Sequence, residues 1–134
     1  MSQPTATRAR PVSPHMTIYR WRPTMAMSIA HRATGIALYF GMLLLAAWLV
    51  AAAGGPVWFD NANWLVGSWF GLLVLIGYTW ALFHHLFGGI RHYIWDTGVG
   101  MGRENSTQLA WATLAASLAC TAATWAVYFI WFRG

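Results

Sequence analysis

Residues 64 to 83 read "WLVGSWFGLLVLIGYTWALF", twenty consecutive positions without a charged side chain. A hydrocarbon core about 30 Å thick needs roughly 20 apolar helical residues to cross it, so this stretch is long enough to span a bilayer. The next thirteen residues, "HHLFGGIRHYIWD" (84 to 96), bring in three histidines, an arginine and an aspartate. The bilayer interior rejects such groups unless something holds them, so this end of the span is where function is expected.

Two further stretches, Ala33 to Ala53 and Leu109 to Trp131, are also long and apolar enough to cross. The 134 residues are 58% hydrophobic and 8% charged, outside the range of soluble domains. The fold class expected is therefore an all-α membrane protein, one domain over residues 1–134, with three transmembrane helices at about 25–53, 64–93 and 109–131. Ten tryptophans and five tyrosines gather near the ends of these runs, as interface anchors do. Cys120, alone in an apolar run, reads as a small buried hydrophobe.

Between the first two spans, "GGPVWFDNAN" (54 to 63) has helix-stopping Gly54, Gly55 and Pro56, and its Asp60 and Asn61 suit a short turn. It has no basic residue. All eight basic residues are arginines; Arg8, Arg10, Arg20, Arg22 and Arg32 precede the first span, Arg91 and Arg103 lie between the second and third, and Arg133 ends the chain. This asymmetry predicts a cytoplasmic N-terminus and a C-terminus on the far side. Residues 1–10 lack the apolar core of a secretory signal and only faintly resemble a transit peptide, so a multi-pass protein of a bacterial inner membrane is expected. Ser13 to Thr24 mixes Met16, Ile18, Tyr19 and Trp21 with Arg20 and Arg22, which suits an interfacial segment and equally an irregular tail. Those arginines are expected to face lipid or protein partners, with no nucleic acid. The third span offers Ser117, Thr121 and Thr124 for close packing but no ionisable group.

The first span begins and the second ends on the same side, so their polar termini can meet. Ser28, His31 and Arg32 stand at i, i+3 and i+4 on one face of the first helix. His85 and His92 are seven apart on the second, with His85 deeper by about 10 Å. Three roles are open to His85: a hydrogen bond across helices, a proton relay, or a metal centre. Gly88 and Gly89, at i+3 and i+4, flatten its face; that suits a planar macrocycle such as haem and also suits tight helix packing. His84 points about 100° away and is not a second ligand to the same iron, so a bis-imidazole centre needs another subunit, or the iron is five-coordinate. Arg32 and His31 suit haem propionates, although an arginine at a membrane boundary also snorkels to lipid phosphate. Ser28, read as lying in the first turn of its helix, suits a cap as well as a ligand contact. A haem-free anchor and a small proton transporter are the rival classes; the second lacks a continuous ionisable path.

Two stretches carry a resemblance: "RPVSPHMTIYRWRPTMAMSIAHRAT" (10 to 34) and "HLFGGIRHYIWDTG" (85 to 98). Together they resemble the cytochrome b membrane-anchor subunit of succinate dehydrogenase, in the anchor pair of respiratory complex II. Tyr93 stands where that family more often has an aliphatic residue. The resemblance implies half of a heterodimeric haem-binding helix bundle, in which His85 is the axial iron ligand of one haem b and the small second anchor subunit supplies the other. It implies that His31 and Arg32 lie near the haem propionates and that Ser28 and Arg32 line a ubiquinone pocket. It further implies a flavoprotein subunit and an iron–sulfur subunit as partners, membrane lipid around the chain, and an assembly that extends to a trimer of heterotetramers. Succinate oxidation would then belong to the flavoprotein, and this chain would help pass the electrons to ubiquinone. Protons could enter through Arg91, His92 and Asp96, although a salt bridge between Arg91 and Asp96, or simple solvation at the helix end, is the plainer expectation.

Overall fold

The computed structural model describes residues 10, 11, 15 and 18–132. Expectations resting on Arg8, Ser13, Met16 and Arg133, and on the first nine residues, fall outside them. Four helices follow in order: α1 (Pro23–Ala53), α2 (Pro56–Gly67), α3 (Trp69–Asp96) and α4 (Arg103–Phe132). The chain is an all-helical membrane protein: α1, α3 and α4 are each long and apolar enough to cross a membrane. At 1.5 Å per residue each measures roughly 42–46 Å, more than the hydrocarbon core requires, so the helices extend past it or tilt within it.

The bundle is built inside out relative to a soluble protein. Its described buried residues are Leu72, Ala81, Gly88 and Ala110 together with polar Thr34, His84, Arg91, Thr113, Ser117 and Thr121, while large side chains such as Phe40, Leu44, Trp69 and Ile130 point outward. Lipid is as apolar as leucine, so helices there gain by close approach of small groups and by polar contacts rather than by hiding large hydrophobes. On α4 the buried Ala110, Thr113, Ser117 and Thr121 form one small-residue face against α3. Their hydroxyls stay satisfied by donating within the helix, Thr113 to the Leu109 carbonyl at 2.8 Å and Thr121 to that of Ser117 at 2.8 Å. Trp125 Nε1 then ties α4 to α3 by donating to Thr79 Oγ1 at 3.3 Å. α3 lies in the middle, packed against both α1 and α4.

The loop expected between the first two spans is mostly helix. Gly54 ends α1, its N–H reaching the Val50 and Ala51 carbonyls, and Gly55 takes a left-handed φ of 103°. Pro56 then starts α2 rather than only stopping α1, because its fixed φ and missing N–H suit a first helical position. Trp48 Nε1 donates to Asn63 Oδ1 at 3.0 Å and docks α2 on α1. The second span consequently does not run from residue 64. Trp64 to Gly67 close α2, Ser68 is extended, and its hydroxyl caps α3 by accepting from the Gly71 N–H at 3.1 Å. Gly71 is confined there because a Cβ would overlap the Leu65 and Val66 carbonyls.

Of the expected interfacial segment, residues 18–22 are described and are not helical, with Ile18 and Trp21 exposed. Cys120 is half-buried instead of fully enclosed.

Candidate functional site

The start of α1 meets the end of α3, and the meeting is made by glycines and histidines in exchange. His31 on α1 lies over Gly88 on α3, where a Cβ would overlap the imidazole ring. His85 on α3 lies over Gly35 on α1, where a Cβ would stand 2.9 Å from the ring's Cε1. The two imidazoles stack with centroids 4.0 Å apart and planes 5° from parallel. Gly88 thus serves the close approach of α1, whereas Gly89 has nothing within 4 Å of a built Cβ.

His85 Nδ1 lies 3.1 Å from the backbone carbonyl oxygen of His31. A carbonyl can only accept, so Nδ1 carries the hydrogen and Nε2 is left with its lone pair. A histidine held in this way is the usual form of a metal-ligating imidazole. Among the described residues no group of three or more His, Cys, Asp or Glu could hold a bare ion. The donor set suits an iron that arrives with its own ring of nitrogens and asks this chain for one axial ligand.

Ser28 and Arg32 are brought together one turn apart. Arg32 Nη2 donates to Ser28 Oγ at 3.1 Å and its Nε to the Ser28 carbonyl at 3.3 Å. Because α1 begins at Pro23, Ser28 lies in the second turn and caps nothing. The expected shared face divides: His31 turns in to α3, half-buried with Nδ1 unpartnered, and Arg32 stays exposed. His92 closes the group, its ring 5.3 Å from His31 and 5.2 Å from Trp95.

One residue departs from expectation. Arg91, expected near water and paired with Asp96, is 2% exposed; its Nε and Nη1 have no partner, and its guanidinium lies 5.1 Å from the Trp95 ring centroid. Asp96 is exposed, and no ion pair joins the two. His84 points away from the His85 face, as expected, and it is the more deeply buried of the adjacent pair, 0% exposed. It faces α4, with Nδ1 3.5 Å from Ser117 Oγ and its ring 5.1 Å from Trp80. The wide step between positions 84 and 85 around the helix was the available signal: α1 takes one residue and α4 the other.

A groove of about 650 Å³ opens at the opposite end of the bundle between α1, α2 and α3. Its polar groups are engaged, Tyr78 hydroxyl donating to the Ala37 carbonyl and Trp48 to Asn63, so it offers nothing free to bind a polar headgroup.

Residues 6–124 match the model of a family described as succinate dehydrogenase/fumarate reductase transmembrane subunit. The chain is similar to a succinate dehydrogenase cytochrome b556 subunit of Paracoccus denitrificans, 40% identical over 121 residues that cover 90% of this chain and 93% of the relative. It is similar also to the cytochrome b556 subunit of Rickettsia felis, at 35% identity covering 87% and 90%. A mitochondrial cytochrome b560 subunit of Sus scrofa is 43% identical over 74% of this chain and 60% of the relative.

Proposed function

The chain belongs to the succinate dehydrogenase/fumarate reductase transmembrane subunit family, and from that premise we propose that it is the cytochrome b membrane anchor of a succinate:ubiquinone oxidoreductase, sharing one haem b with a second, small anchor subunit and forming one wall of the ubiquinone site. The observation that carries this reading is the His85 Nδ1 contact with the His31 carbonyl, which leaves Nε2 ready to ligate iron. His31 and Arg32 would hold the propionates. When bound, the haem supplies one-electron storage at the membrane boundary.

Succinate oxidation itself belongs to a flavoprotein partner, and an iron–sulfur subunit carries the electrons to the membrane. This chain's own work is at the quinone. Ser28 Oγ accepts from Arg32 and keeps its own hydrogen, which it donates to a quinone carbonyl. Arg32 polarises that hydroxyl and stabilises negative charge growing on the ring. Both residues are at the arginine-bearing end, where the soluble partners would dock. The same charge asymmetry supports a bacterial inner membrane with the N-terminus in the cytoplasm.

Purification in mild detergent tests the reading. The expected sample holds flavoprotein, iron–sulfur and second anchor subunits, and it shows the absorption of reduced haem b. The bond between His85 and His31 would also serve a haem-free anchor, and a fully assembled complex that shows flavin and iron–sulfur absorption but no reduced haem b bands would establish that rival.

A further inference from the structure

Arg91 is buried within α3, and among the described residues its charge has no counterion. Asp96 and Glu104, the acids on neighbouring segments, are exposed, and Asp60 is on α2 at the other end of the bundle. Two of its nitrogens have no partner, and the Trp95 face is the neighbour that offers negative potential. Arginine does not shed its proton in a protein, so the positive charge persists. In a segment shielded from water such a charge acts over a longer range than it would at the surface. The six-residue step from His85 to Arg91 is a rise of roughly 9 Å along α3.

Resting on the haem reading above, we propose that Arg91 is a positioning residue that sets the reduction potential of the haem ligated by His85, its uncompensated charge favouring the form that holds one more electron. At a separation of the order of that rise and an effective dielectric constant of about 20, one unit charge shifts a one-electron equilibrium by about 20-fold, or about 80 mV in midpoint potential at about 59 mV per tenfold. Arg91 touches neither quinone nor iron in this account; it acts through the field.

The test is a redox titration of the intact complex, following the reduced haem b band in wild type, Arg91→Gln and Arg91→Lys, with haem per complex measured on each sample. Arg91→Gln is expected to keep its haem while the potential falls by that shift, and Arg91→Lys to stay near wild type because the charge remains. An unmoved potential in haem-replete Arg91→Gln overturns the proposal, since an anion from another subunit or lipid would then already neutralise the guanidinium. A Lys variant that falls as far as Gln overturns it too, because shape and not charge would be at work. Should Arg91→Gln fail to assemble, the neutral Arg91→Met takes its place on the same criteria. A wild-type complex without haem refutes the haem reading itself, an outcome distinct from a haem whose potential does not respond.

Discussion

His31 and His85 stack ring on ring, 4.0 Å between centroids and 5° from parallel, each seated over a glycine of the opposite helix. This exchange fixes how closely α1 and α3 approach, and it holds the imidazole whose Nε2 faces away from its own hydrogen-bonded nitrogen.

Enlarging one seat and leaving its neighbour free separates packing from composition. Gly88→Val drives a side chain into the His31 ring and is expected to destabilise the helix pair by about 1–3 kcal/mol, the usual cost of overpacking, with haem lost in proportion. Gly89→Ala, with nothing within 4 Å, is expected to be tolerated. Thermal unfolding and haem content of the detergent-solubilised complex check both.

Ser28→Ala and Arg32→Leu each remove a group offered to the quinone. Losing a hydrogen bond to a charged or charge-developing partner costs about 1.5–3 kcal/mol, so quinone-linked turnover should fall by roughly 10- to 100-fold. Electron transfer from succinate to artificial acceptors should fall much less. Equal losses in the two assays would assign the pair to assembly.

On the α4 side the close approach depends on small residues. Ser117 is 0% exposed against His84, so Ser117→Leu has no room and should weaken the α3–α4 contact, lowering the unfolding temperature and the yield of assembled complex. Ser117→Ala keeps the size and should change stability by less than about 1 kcal/mol.

The proposed orientation is open to chemical labelling. In a Cys120→Ala background, Asn61→Cys on α2 should react with a membrane-impermeant maleimide from outside intact spheroplasts. Arg10→Cys should react only after lysis. The reverse pattern would invert the topology.

The three spans were legible because length and lack of charge decide them, and the meeting of α1 with the end of α3 followed from the count of crossings. The stretch from Pro56 to Gly67 was not, because a proline that stops one helix is equally suited to start the next, and tertiary contacts such as Trp48 to Asn63 settle which. The burial of His84 and Arg91 was hidden for another reason. Along an all-apolar helix nothing in the pattern says which face meets which neighbour, so a polar residue near the end reads as solvated. Here α4 presents Ala110 and Ser117, small enough to enclose that flank.

The most direct measurement is haem per assembled complex, with reduced-minus-oxidised spectra, in wild type and His85→Ala. One haem b per complex is expected in wild type, and in the variant a loss of most haem or an altered axial spectrum with all three spans still inserted. Full haem with an unchanged spectrum in His85→Ala would contradict axial ligation by His85.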